Sequence, residues 1–156
     1  VFAVMGTGVT SMYDITVISI IVACIGALVK EHGGIQWLIE FIHRRVKSKK
    51  GAQLGIAGLV AAVDVATANN TVAIVMSGSI AKEISEEYHI DPRRSASLLD
   101  IFASVMQGIL PYGAQLLYAS AGTGVAALAI VPYMFYCYLM AVCAIVFILF
   151  FSGREK

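Results

Sequence analysis

Residues 52–81 read AQLGIAGLVAAVDVATANNTVAIVMSGSIA and carry a single charge, Asp64. Twelve uncharged, mostly apolar residues precede it, and ten more (72–81) follow a polar run from Asp64 to Thr71. A membrane-spanning helix needs roughly 20 apolar residues, so neither half crosses a bilayer alone. Non-helical backbone at membrane depth survives only when buried in protein or facing a watery cavity. A carboxylate and two amides there are costly, which makes a functional site the default reading. The pattern predicts an interrupted, re-entrant element of the kind that builds transport sites.

The rest of the composition agrees. The chain is 59% hydrophobic and 13% charged, against about 25% charged for a soluble domain. No charged residue occurs from Ile101 to Phe151. The expected fold class is an all-α membrane protein, with transmembrane helices, a re-entrant hairpin and a broken helix, forming one half of an inverted-repeat transporter. Cys24, Cys137 and Cys143 sit in apolar runs without ligand spacing and read as packing residues. The chain opens on Val1 rather than Met. We therefore expect a fragment of a longer polypeptide whose N-terminal half carries the second, inverted copy.

Working outward, 11–29 reads as a transmembrane helix. Gly33-Gly34 breaks the chain, and 35–47 reads as an amphipathic helix lying in the interface, with Trp37 and Phe41 at its flanks. The hairpin covers 52–88 with its tip at 64–71. Asp91-Pro92 is a helix start, Asp as the cap and Pro at the first position. That helix meets Pro111, which removes a backbone donor, so 92–121 reads as a broken transmembrane helix. After a Gly122–Gly124 turn, 125–151 reads as a last transmembrane helix, tilted or kinked at Pro132. His32, His43 and His89 read as solvated.

Charge decides between crossing and re-entry. If 52–88 crossed once, six basic residues (Lys30 to Lys50) would lie opposite five. If it returns to the same face, all eleven Lys and Arg residues share one side and the other has none. The positive-inside rule favours the hairpin, with basic loops and C-terminus cytoplasmic. The expected location is a bacterial plasma (inner) membrane, multi-pass.

Two elements thus have polar breaks at similar depth. The first limb of the hairpin ends at the tip with carbonyls, and the second begins there with free N–H groups. Ser97, Asp100, Ser104, Gln107 and Pro111 recur every three or four residues on one helix face, and Tyr112 and Gln115 continue past the break. The candidate cation or substrate ligands are Asp64, Thr67, Asn69, Asn70, Thr71, Asp100, Ser104, Gln107, Tyr112 and Gln115. Asn69, Asn70, Thr71 and Asp100 are the candidates for holding a metal ion, Na+. No other cofactor is expected than the transported Na+ and H+.

At these residues the chain resembles a family. The run Ala66-Thr-Ala-Asn-Asn-Thr-Val-Ala-Ile-Val75, then Ser95–Leu99 with Asp100, then Ile109-Leu-Pro-Tyr-Gly113, is similar to the C-terminal half of NhaC-type sodium/proton antiporters of the ion-transporter superfamily. The similarity covers most of 14–151. Many relatives place an acid where this chain has Asn69, and a Trp where it has Tyr112. The resemblance implies Na+/H+ exchange by alternating access. Asp100 or Asp64 would hold a proton or help bind Na+ in turn, because protonation removes the charge that Na+ needs.

Two readings compete. One is Na+- or H+-coupled transport or exchange of an organic carboxylate or amino acid, which some relatives carry out. The other, of a different class, is a structural membrane subunit with no need of buried acids. No nucleophile–base pair or metal motif points to an enzyme. Expected partners are the lipid bilayer, the missing N-terminal half and a second copy as a homodimer, and no nucleic acid.

Overall fold

The computed structural model describes residues 48–151 continuously, together with scattered residues between 6 and 41. The helices expected over 11–29 and 35–47 lie outside the described residues except at such scattered positions. The described residues form helices and no strand.

The first helix, α1 (Lys49–Thr67), starts at Ser48, whose hydroxyl accepts the Gly51 N–H at 3.1 Å. A side-chain oxygen there satisfies one of the donors that a helix leaves open at its N-terminus. α1 does not stop at Asp64. It continues to Thr67, and the chain turns only at Ala68, in the left-handed region at φ 47°, and at Asn69. The non-helical tip is therefore two residues, not the eight of 64–71. The reason is local. The Thr67 hydroxyl donates back to the Val63 carbonyl at 2.9 Å, so that polar side chain is satisfied within the helix. The second limb, α2 (Asn70–Glu87), is capped by Asn69, whose Oδ1 accepts the Val72 N–H at 3.1 Å.

After Tyr88, the helix α3 (Pro92–Ile109) begins with Asp91 accepting the Arg93 N–H at 2.7 Å. It ends at Leu110, before Pro111, and α4 (Ala114–Thr123) resumes beyond Gly113. Gly113 is needed at this corner. A Cβ there would lie 3.1 Å from the Leu110 carbonyl oxygen and 3.3 Å from that of Gln107.

The segment 125–151 is not one helix. A single turn α5 (Ala127–Ile130) passes into a 3-10 turn (Val131–Tyr133), and α6 (Phe135–Phe151) starts afresh. Pro132 cannot donate to the ladder. The Val131 carbonyl takes bonds from the Met134 N–H at 3.1 Å and the Tyr138 hydroxyl at 3.0 Å. Among the described residues no single helix is long and apolar enough to cross a membrane. One bent pair, Pro92–Thr123 with Ala127–Tyr133, meets the requirement together, at a 99° bend.

α1 lies at the centre, packed against both α2 and α3, and α6 covers α3 and part of α1. Ile56, Leu59, Val60 and Val63 of α1 meet Ile84 of α2, Leu98, Leu99 and Phe102 of α3, and Ile148 of α6. Ala52, Ala57, Ala73, Ala81 and Ala103 are buried among them. Small residues let helix backbones approach closely, which is how apolar helices associate where the surroundings are as apolar as the core.

Candidate functional site

The two-residue tip is fastened to the break in α3 by side chains. Gln107 donates from Nε2 to the Ala68 carbonyl at 3.2 Å and to Gln115 Oε1 at 2.8 Å. The Tyr112 hydroxyl donates to the Val65 carbonyl at 2.8 Å. Asn70 Nδ2 reaches Ser104 Oγ at 3.5 Å. Both carbonyls belong to the last turn of α1, where a helix has no partners of its own for its final C=O groups. The αL residue that makes this turn is an alanine, not a glycine. Such a backbone costs of order 1–2 kcal/mol and persists where its surroundings hold it.

Asp64 stands one turn back from the tip, fully buried, and neither carboxylate oxygen has a hydrogen-bond partner among the described residues. Asn70 Oδ1 and Gln107 Oε1 are likewise buried and unpartnered. Each of these two amides spends its N–H donors on protein and leaves its oxygen unused. Buried polar atoms without partners are uncommon and costly, about 1–3 kcal/mol each. Here the unused atoms are all acceptors, and they flank the same tip. A carboxylate and neutral amide oxygens near one hairpin tip, with no basic partner for the carboxylate among the described residues, are the chemistry of a cation site. Among the described residues no three His, Cys, Asp or Glu side chains converge as a metal cluster. One acid with amide oxygens suits a monovalent ion better than a divalent one.

The other sequence candidates fall as follows. Ser104 is half-buried at the Asn70 contact, and Gln115 is exposed while holding Gln107. Thr67 is half-buried, with its hydroxyl on Val63 and, at 3.4 Å, on the Asn69 carbonyl. Asn69 is exposed and uses its side-chain oxygen as the α2 cap. Thr71 is exposed on the first turn of α2. Asp100 is exposed and does not join the tip. It sits one helical turn before Ser104, about 6 Å by rise. The stripe Ser97, Asp100, Ser104, Gln107 thus runs from exposed to buried as it nears the tip.

Sequence reasoning passed over Gln53 and Ser77. Both are fully buried, with side-chain N and O atoms unpartnered among the described residues. Their signal was present, since any polar residue inside an apolar helix marks a candidate position. The Val65 and Ala68 carbonyls were missed too, because backbone acceptors leave no mark in a sequence.

A sequence profile of the Na+/H+ antiporter family matches residues 1–152. No curated protein and no solved structure gives a significant match. The match spans nearly the whole chain, including the hairpin, the tip and the broken helix. The chain belongs to the Na+/H+ antiporter family, and so to membrane-embedded secondary transporters rather than to enzymes.

Proposed function

We propose that this chain forms the ion-binding half of a Na+/H+ exchanger working by alternating access, with Asp64 as the carboxylate for which Na+ and H+ compete. The observation that carries this is the complete burial of Asp64 with both oxygens unpartnered among the described residues. A buried carboxylate needs a proton or a cation, and holding one excludes the other. Asn70 Oδ1 and Gln107 Oε1 supply neutral oxygens. The carbonyl end of α1 adds negative potential on the same side. Asp100, on the exposed part of the stripe, attracts cations toward the tip without being their final ligand. Exchange follows because protonated Asp64 loses the charge that Na+ requires.

The test is Na+-driven proton movement in proteoliposomes of the full-length protein, read with an internal pH dye. Asp64→Asn keeps the shape and removes the titratable group, and should abolish Na+-driven proton efflux. Asp100→Asn should keep Na+/H+ coupling and lose rate, by several-fold at low salt and less at high salt. If Asp100→Asn abolished coupling and Asp64→Asn retained it, the two roles would be reversed. If proton movement required an added organic acid or amino acid, the cargo would be that molecule and Na+ its driving ion.

A further inference from the structure

Gln53 of α1 and Ser77 of α2 make no contact with the tip, yet both are fully buried. Gln53 Nε2 and Oε1 and Ser77 Oγ have no hydrogen-bond partner among the described residues. Their positions are ordered. Gln53 precedes Asp64 by eleven residues, about three turns of α1, so the two share one face. Ser77 follows Asn70 by seven residues, about two turns of α2. Asn70 faces Ser104 of α3, and Ser77 is therefore turned toward α3 as well. A crevice of about 220 Å3 opens between α2 and α3. Gly78, Ser85, Ser95 and Leu99 line it, with Lys82 and Glu86, paired at 3.8 Å, at its exposed edge. The Ser85 hydroxyl is spent on the Ala81 carbonyl. Ser95 is buried on the α3 side.

The helical rise sets these groups in sequence. α1 and α3 both end at the tip, where Gln107 meets Ala68. Asp64 then lies about 6 Å, Ser95 about 18 Å and Gln53 about 22 Å back from the tip. Ser77, two turns down α2, lies about 10 Å back, between Asp64 and Ser95. The steps are about 4–8 Å along the axis. One water bridges polar atoms about 5.6 Å apart, and two waters reach further. Buried waters sit where polar groups lack protein partners.

Resting on Asp64 as the exchanging carboxylate, we infer that Gln53, Ser95 and Ser77 hold a chain of waters that carries the proton between this crevice and Asp64. A sealed carboxylate that exchanges its proton needs a route to bulk water. Each side chain of the file is neutral and both donates and accepts. A proton leaving Asp64 passes to a water, and each water hands one proton on as it takes another, so no other bond changes. A dehydrated cation needs several oxygens at one level. The file offers about one polar side chain per level, which suits protons and not Na+.

The experiment uses the full-length protein in inside-out vesicles, with Cys24, Cys137 and Cys143 replaced by alanine. Single cysteines are then introduced as Ser95→Cys, Ser77→Cys and, as a dry control off the file, Ile148→Cys, a fully buried position in α6. Ag+ travels through water-sized passages and blocks thiols. The thiols left for alkylation after denaturation are counted against time. Positions 95 and 77 should react at least about tenfold faster than position 148. In proteoliposomes, Ser77→Ala should slow Na+-driven proton flux about fivefold, the rate equivalent of one hydrogen bond. It should leave the stabilisation of the protein by Na+ against heat unchanged, which a loosened tip would not. Gln53→Leu should act in the same way from the other end of the file. Labelling at position 77 as slow as at position 148 would overturn the proposal, and so would unchanged flux in both Ser77→Ala and Gln53→Leu. The labelling does not depend on which acid exchanges the proton. Fast labelling at position 77 with coupled exchange retained in Asp64→Asn would therefore sink the Asp64 reading and leave the water chain with a different end point.

Discussion

Gln107→Leu separates the two jobs assigned to that side chain. Gln107 makes two hydrogen bonds, to the Ala68 carbonyl and to Gln115, worth about 1 kcal/mol each. It also holds one oxygen buried and unpartnered among the described residues, at a cost of about 1–3 kcal/mol. Leucine removes both terms but leaves the Ala68 carbonyl without its donor, so stability without Na+ should fall by about 1–3 kcal/mol. The Na+ increment is a separate quantity. Ligand binding to the native state stabilises it by RT ln(1 + [L]/Kd), about 2.7 kcal/mol at a hundred times Kd. Losing one ligand oxygen and with it about tenfold in affinity leaves about 1.4 kcal/mol at the same Na+ concentration. The assay is thermal unfolding in detergent across a Na+ titration, with choline holding ionic strength constant. Ala68→Gly on the same background relieves the left-handed turn by about 1 kcal/mol, so it should raise stability at every Na+ concentration without restoring the Na+ increment. An undiminished Na+ increment in Gln107→Leu would refute Gln107 as a ligand. Its return with Ala68→Gly would mean that Gln107 acts only by holding the turn.

Three other expectations follow from single contacts. Tyr112→Phe deletes the donor to the Val65 carbonyl and should lower stability by about 1 kcal/mol while sparing the Na+/H+ ratio; a changed ratio would put the hydroxyl among the ligands. Gly108 faces Cys137 so closely that an added Cβ would lie 2.5 Å from its sulfur, so Gly108→Ala should cost about 1–3 kcal/mol, and Cys137→Ala in the same chain should recover most of it; no recovery would place the clash in the backbone. Cysteines at positions 49 and 94 should both be shielded from an impermeant thiol reagent outside intact cells, because the ends of α1 and α3 share the basic side; reaction at one alone would mean that the hairpin segment crosses the membrane.

The parts of the fold legible in the sequence are those set by one or two neighbouring residues. Asp91-Pro92 is a cap and a first helical position whatever packs around it, and Pro111 denies a donor to any helix that reaches it. The helix α3 has those two ends. The extent of the tip was not legible, because composition cannot tell a polar break from a polar last turn. Thr67 resolves the difference by folding its hydroxyl back onto Val63. The left-handed residue that makes the turn is Ala68, without the glycine that would have marked it. Pro132 was visible as a kink, but a kink and a fresh start differ in whether the Val131 carbonyl keeps a helical donor four residues on or takes other donors. Here they come from Met134 and Tyr138.

For the site, the three-to-four-residue spacing of Ser97, Asp100, Ser104 and Gln107 was readable as one face of a helix. Which end of that face is buried depends on how the hairpin lies against it, and no spacing within α3 contains that information. The consequence falls on the choice between the two acids. On sequence alone the two acids stood level, Asp100 as the one ionisable group on a polar stripe and Asp64 as the single charge in residues 52–81. Packing separates them: Asp100 is open and Asp64 is sealed inside α1. An exposed carboxylate costs nothing to keep charged and can be screened by salt. A sealed one must be neutralised by something bound beside it. That obligation makes Asp64 the stronger candidate for the group through which two cations are exchanged.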